Sequence, residues 1–345
     1  EVTSISNSTD ELMCITHLRK FMIISRTPLR VSFCGGGTDI DDFSKSSNNG
    51  GKVISMAIDR YVYVTINPRF DNRIRVSYSS LEIVDSVDEI RHDLVRESMK
   101  LTGVESGIEI TTIADIPGKG TGLGSSSTVT VGLLHALHHF NGRSVDKDQL
   151  ADEACKIEIE LLNQPIGRQD QYAAAFGGLN AINFSKEGVN VNPLIIPTEI
   201  VSQIENEFSL VYTGITRKAS SVLSEKPIDY EEKVNRLNEI REQAEIAEKL
   251  LKIGDISKLG LLLNEAWINK RAISNSVSND KIDSLYHKIL DIGANGAKLV
   301  GAGGGGFFLV HGTPGLRNTL VKNLDEKYRI IPIKIDNTGS SIIHG

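Results

Sequence analysis

Apolar positions along this chain follow two periods, and the switches between them mark out its elements. Runs rich in β-branched and aromatic residues predict strands. Two short ones flank Thr27-Pro28 within Met22–Cys34, and others cover Val53–Pro68, Ile74–Ser77 and Gly107–Ile113. Helical spacing appears at Val87–Leu101, Val129–Phe140 and Asp146–Leu162, and strands return at Gly178–Phe184 and Phe208–Tyr212. A long helix is predicted from Asp229 to about Ile253, with Val234, Leu237, Ile240, Ile246, Ala247 and Leu250 as its apolar stripe. Its other face is charged and reads as solvated surface. Helices over Ile256–Ile273 and Lys281–Gly293, a glycine-rich strand pair over Ala297–Gly312, and strands near Ile330–Ile335 and Ser341–His344 complete the pattern. The chain reads as α+β with no internal repeat.

A length of 345 residues predicts two domains. The boundary falls near Asn192–Gln203, separating residues 21–197 from residues 198–345. Residues 1–20 are polar, lack the apolar centre of a signal peptide, and read as an arm or short leading helix. An apolar content of 40% with 24% charged residues is ordinary for a soluble globular protein. The net charge of −6 excludes general affinity for nucleic acid. The three cysteines, Cys14, Cys34 and Cys155, make neither a disulfide framework nor a zinc spacing, which favours a reducing cytoplasm. No apolar run of about 18 residues exists, so no membrane span is expected.

The chemistry concentrates in PGKGTGLGSSST, Pro117–Thr128, which runs straight into a predicted helix. Glycine lets the backbone approach a phosphate closely, and the helix start offers unpaired N–H groups to it. Pro117, Gly118, Gly120, Gly122, Leu123, Gly124, Ser125, Ser126 and Ser127 are therefore the candidate nucleotide-binding residues. The serine hydroxyls add a candidate ligand for a phosphate-bound magnesium ion. No Lys-Ser or Lys-Thr pair follows the last glycine, so this is not a Walker A loop. A plain Gly-Ser loop with a serine cap is the competing reading.

Three further clusters carry candidate chemistry. Arg26–Asp39 leads a strand bearing Arg30 into Gly35-Gly36-Gly37, Thr38 and Asp39, where a small molecule can sit on backbone and a carboxylate can accept from sugar hydroxyls. A tight turn capped by Asp39 is the alternative. In Asn163–Gly178, Asp170 follows a loop and precedes a helix of small residues, and could accept a proton or orient an alkoxide in phosphoryl transfer. Glu158, on the preceding helix, could complete a magnesium shell. The glycines of Lys298–Val310 require close backbone approach by another loop or by a phosphate.

Together and in this order, TPLRVSFCGGGTD, PGKGTGLGSSST and KLVGAGGGGFF resemble the three motifs of the GHMP kinases, the family of galactokinase, homoserine kinase and mevalonate kinase. The resemblance extends from about Ile23 to the C-terminus. It implies a two-domain fold, with an N-terminal domain like ribosomal protein S5 domain 2 and a ferredoxin-like C-terminal domain, and with ATP and Mg2+ as cofactors. It implies Asp170 as catalytic aspartate with Arg30 beside the reacting hydroxyl, Ser126 and Glu158 as magnesium ligands, and Asp39 as a sugar ligand. Gly36, Gly37, Thr38, Asp39, Arg168, Gln169, Gly214, Arg217, Lys218, Gly303 and Gly304 are the expected substrate-binding residues.

Within the family, RTPLRVSFCGGGTD with QPIGRQDQYAAAFGGLN is most similar to the heptose phosphate kinases of bacterial surface-polysaccharide synthesis. Galactokinases carry Glu-His where this chain has Gly36-Gly37, which argues against galactose and for a larger, phosphorylated sugar. The reaction implied is ATP-dependent phosphorylation of the anomeric hydroxyl of D-glycero-D-manno-heptose 7-phosphate. Arg217, Lys218, Arg168 and Lys52 are the candidate cations for the sugar's own phosphate. Another sugar such as fucose, or a non-catalytic sugar- and ATP-binding regulator, are the alternatives. The expected partner is a small-molecule sugar phosphate, with no nucleic acid or membrane, and a homodimer is an allowed assembly.

Overall fold

The computed structural model describes residues 21–116, 120–216 and 230–345. The arm read in residues 1–20 lies outside that range. A first sheet collects β1 (Ile23–Cys34), β2 (Gly51–Pro68), β3 (Ile74–Ser77), β4 (Leu81–Val84), β5 (Ile108–Ala114), β6 (Leu179–Ser185) and β7 (Gly188–Pro193). The last strand, β12 (Ser341–His344), returns to pair with β1, giving the order β12-β1-β2-β5-β3-β4, with β6 and then β7 continuing from β2. A second, antiparallel sheet has the order β11-β8-β10-β9, built from β8 (Phe208–Tyr212), β9 (Gly296–Leu299), β10 (Phe307–His311) and β11 (Ile330–Pro332).

Strand β2 organises the first sheet by changing partners along its length. Val62–Pro68 pairs with β5, and Gly51–Met56 pairs with β6. The sequence predicts two short strands around Thr27-Pro28, but β1 is one continuous strand. Pro28 has no N–H for the ladder, and the register to β2 shifts between Pro28 and Leu29 without ending the strand. An irregularity of this kind is where a sheet tolerates proline.

Helix α1 (Asp41–Ser44) follows the first glycine turn, and α2 (Asp93–Thr102) precedes β5. Helix α3 (Ser125–Phe140) lies on β1 and β2. Contact is tightest at Gly132, where a Cβ would stand 3.0 Å from Thr27 Oγ1 and 3.2 Å from Val64 Cγ2. Ser25 Oγ donates to the Gly132 carbonyl there at 2.7 Å. Helices α4 (Lys147–Cys155) and α5 (Gln169–Phe176) pack against α3 and each other. The helix expected over Asp146–Leu162 is α4 followed by a π-helical stretch, Lys156–Leu161. The helix expected from Val87 starts later, at Asp93, after a single 3₁₀ turn over Val87–Glu89.

In the second half come α6 (Thr198–Glu207), α7 (Tyr230–Ile253), α8 (Ile256–Arg271), α9 (Asp280–Asp291) and α10 (Leu316–Asn323). Helix α7 packs on α8 and touches β1 and β2, joining the halves. Its buried stripe is Leu237, Ile240, Ala244, Ala247, Leu250 and Leu251, whereas Ile246 is 45% exposed. Steps of three and four residues keep the true stripe on one face, and Ile246 falls off it. Elements β4, β7, α6 and α10 are not among those predicted: β4 and α10 are short, β7 is an edge strand, and the expected domain boundary fell across α6.

Candidate active site

The glycine-serine loop runs into α3, which begins at Ser125, four residues ahead of the Val129 start that the periodicity predicts. Gly122 and Gly124 have φ of +76° and +75°, a conformation that side chains disfavour. Gly124 is the residue that caps α3, so Ser125, Ser126 and Ser127 form its first turn and present free N–H groups. Ser125 Oγ shares a hydrogen bond with Thr121 Oγ1 at 3.1 Å, and Ser126 is exposed. Gly120 lies at the start of the described part of the loop, and Pro117 and Gly118 lie outside the described residues.

The third glycine segment supports this loop from behind. A Cβ on Gly122 would stand 2.4 Å from the Val300 carbonyl oxygen, and one on Gly301 would stand 2.4 Å from Gly122 Cα. One on Gly306 would meet the Thr121 carbonyl oxygen at 2.2 Å. Of the two readings open for Lys298–Val310, close packing of another loop is the one observed at these positions. Gly303 presses on Val277, and Gly304 N donates to the Val277 carbonyl at 2.8 Å. Gly214 is exposed, with open space around it.

Two carboxylates face the loop. Asp170 stands in the first turn of α5, within the helix and not ahead of it. Arg30, on β1 and only 3% exposed, donates through Nε to Asp170 Oδ1 at 2.7 Å, and its NH2 lies 2.6 Å from the same oxygen. The remaining nitrogen, NH1, donates to the Gly122 carbonyl at 2.6 Å. One guanidinium thus fixes both the carboxylate and the loop. Asp170 Oδ2 makes no hydrogen bond to a described residue and lies 3.2 Å from the place a Cβ on Gly124 would take.

Glu158 is wholly buried in the π-helical stretch, where a wider turn re-aims a side chain. Its Oε1 accepts from Ser126 Oγ at 2.5 Å and its Oε2 from Gln171 Nε2 at 2.7 Å. Burial pushes its pKa up to about 7, against the lowering by the Ser126, Ser127 and Gln171 donors, and the Asp170 charge adds to the rise. Sequence reasoning missed Gln171. Its only signal was adjacency to Asp170, since a buried glutamine looks like any polar residue in a helix.

The first motif closes the site. Gly35, Gly37 and Thr38 form the turn after β1, and Thr38 Oγ1 is spent on the carbonyls of Gly35 (2.8 Å) and Lys52 (3.0 Å). Asp39 is 2% exposed. Its oxygens accept from Gly37 N at 2.9 Å and from the backbone N and Nε2 of Gln169, each at 3.1 Å. Burial first, then the Asp170 charge, raises its pKa. Gln169 Oε1 and Gln171 Oε1, on either side of Asp170, are buried with no hydrogen-bond partner. Gly36 differs from its neighbours: a Cβ there would meet nothing nearer than Gln169 Nε2 at 3.6 Å. The protein's own packing does not demand glycine at that position. Arg168 pairs with Asp41 at 2.6 Å and Lys52 with Glu248 at 2.5 Å, while Arg217 and Lys218 lie outside the described residues.

A glycine-rich helix start facing an Arg-held aspartate fits a phosphotransferase that acts on a hydroxyl group. Comparison with known proteins gives the family. Residues 89–178 match the model of the GHMP kinases N-terminal domain and residues 246–330 that of the C-terminal domain. The chain belongs to the GHMP kinase family, whose members use ATP, and it is a sugar kinase. It is 32% identical to the D-glycero-alpha-D-manno-heptose 7-phosphate kinase of Campylobacter jejuni, over 88% of this chain and 93% of that one. It is 27% identical to an L-fucokinase/L-fucose-1-P guanylyltransferase of Bacteroides fragilis, over 83% of this chain but 34% of that longer protein. A D-glycero-D-manno-heptose 1-phosphate kinase from Bacteroides thetaiotaomicron has the same fold, with a TM-score of 0.77 at 24% identity, covering 93% of this chain and 99% of that one. No helix among the described residues is long and apolar enough to cross a membrane.

Proposed function

We propose that this kinase transfers the γ-phosphoryl group of ATP to the anomeric hydroxyl of D-glycero-D-manno-heptose 7-phosphate. The observation that carries the substrate is the 32% identity to a heptose 7-phosphate kinase along 88% of the chain. The open space at Gly36 supports it, because an unneeded glycine in the acceptor loop leaves room for a larger sugar.

The N–H groups of the loop from Gly120 to Ser127 hold the nucleotide phosphates at the positive end of α3. Asp170 takes the acceptor proton on Oδ2, while Arg30 keeps the carboxylate facing the loop. Asp39 and Gln169 orient the sugar, and Gln169 Oε1 is free to accept from one of its hydroxyls. The donor set of Ser126 and Glu158 fits a magnesium ion. Both offer oxygen, and the buried Glu158 carboxylate has hydrogen-bond donors but no cation beside it. When bound there, magnesium neutralises charge on the transferred phosphate.

Phosphorylation of fucose is the second reading, favoured by the 27% identity to the fucokinase. A coupled ADP-release assay decides between them, comparing heptose 7-phosphate with mannose, galactose and fucose. Turnover with heptose 7-phosphate alone supports the proposal. Turnover with fucose and not with the heptose phosphate replaces it.

A further inference from the structure

Two lysines at the junction of the halves have no ion-pair partner among the described carboxylates. Lys298, on β9, is 4% exposed and is the only buried lysine among the described residues. Its Nζ donates to the carbonyls of Ser32 and Phe33 at 2.9 and 3.0 Å, where β1 runs into the glycine turn. Lys270, in the last turn of α8, is half-buried and donates to the carbonyls of Leu299 (3.3 Å) and Gly301. Neither lysine forms an ion pair with a described residue. An ammonium has three N–H donors, so each retains one after its two carbonyl bonds.

Buried charge is ordinarily balanced by an opposite charge. Here the lysines face each other and Arg30 instead. Burial, and then that repulsion, holds Lys270 well below the usual lysine range. Burial chiefly brings Lys298 down to about 8, with Arg30 adding to the effect. Asp39 is the carboxylate near Lys270, but its oxygens are committed to Gly37 and Gln169. Arg30 is matched by Asp170, Arg168 by Asp41 and Lys52 by Glu248. The unmatched charge of Lys298 therefore sits beside the acceptor turn, with that of Lys270 on the adjoining Leu299–Gly301 segment.

We propose that Lys270, with Lys298 behind it, binds the phosphate monoester that the acceptor sugar already carries. This rests on the reading of the acceptor as a sugar phosphate. Lys298 places its charge at the acceptor side, since its carbonyl partners immediately precede Gly35-Gly36-Gly37. Lys270 is half-buried, less enclosed than Lys298, and supplies the direct contact. Lys298 is too enclosed to touch the ligand and acts through its field. A phosphate dianion accepts the spare N–H of Lys270 in a charge-assisted bond and restores the balance.

The test is Lys270→Met, assayed with heptose 7-phosphate and with ATP, together with calorimetric titration of heptose 7-phosphate into nucleotide-free enzyme. Loss of one charge-assisted contact raises KM and Kd for the sugar phosphate by about tenfold or more. KM for ATP stays within about twofold, which also shows that the variant is folded, and Lys270→Arg recovers most of the affinity. An unchanged affinity for the sugar phosphate, or an ATP KM that rises in step with it, overturns the inference and assigns the lysine to the nucleotide or to bracing the Gly301 loop. A wild-type enzyme that phosphorylates a free sugar and ignores heptose 7-phosphate removes the acceptor reading and the inference with it. Wild-type activity on heptose 7-phosphate with an indifferent Lys270→Met removes the inference alone.

Discussion

Asp170 and Glu158 face the same loop and are held in opposite ways. Asp170 is partly open to solvent, with a side chain 23% exposed, and has a guanidinium against one of its oxygens. Glu158 is sealed from water and meets only neutral donors, two from the loop serines and one from Gln171. The first carboxylate is balanced within the protein. The second is enclosed by packing that disfavours its charge and pairs it with no described cation, which on the proposed function leaves it ready for a metal ion. On the proposed function, the difference suits Asp170 to accepting a proton and Glu158 to holding a metal ion, a distinction that residue type alone does not make.

The comparison breaks most visibly at Asp170. Asp170→Asn removes the proton acceptor and lowers kcat by about 10²- to 10⁴-fold, while ATP affinity changes little. ADP release and nucleotide titration measure the two. The same change leaves Arg30 buried without its counter-charge, so the variant unfolds more readily than the wild type.

Glu158→Gln moves stability the other way. Burial raises the pKa of the Glu158 carboxyl from the usual 4.5 to about 7 in the folded protein. For an acid shifted upward, the contribution to folding is most favourable below the unfolded pKa and is lost as pH rises through the folded one. The glutamine variant should therefore match the wild type near pH 4 and exceed it at pH 8, by up to about 3 kcal/mol. Heat unfolding at the two pH values tests this, and a variant that is less stable at pH 8 would refute it. The gain in stability accompanies loss of magnesium-dependent turnover, as expected where a site carries strain for function.

Gln171→Met gives the smallest effect. It keeps the volume and removes the donor to Glu158 Oε2, weakening magnesium affinity about tenfold. A magnesium titration of turnover reads this directly, and an unchanged midpoint would show that the loop serines suffice to orient the carboxylate.

Much of this arrangement was legible in the sequence. The loop from Gly120 to Ser127 announced itself because glycine and helix-start chemistry are local, and strands such as Ile74–Ser77 and Phe208–Tyr212 fell where their residue types predict. Long-range contacts were not legible. The third glycine segment allowed a loop or a phosphate as neighbour, and only the approach of Gly301 to Gly122 decides it. The partners Gln171, Lys270 and Lys298 came from helix and strand positions that give no periodic sign of pointing at a site. Proline at 28 argued for a break that the sheet absorbed by shifting register, a choice made by β2 and not by local propensity.

The return of β12 to β1 also sets the order in which the molecule can be finished. Ser341 and Arg26, bonded neighbours in that pair, are 315 positions apart. At about 5–20 residues per second, a ribosome needs roughly 15 s to a minute to span that interval. Throughout it the outer edge of β1 lacks β12, its partner among the described strands. Nascent chains stalled before Ser341 should then bind edge-seeking chaperones that chains carrying β12 release, so completion of the first sheet is timed by synthesis of Ser341–His344.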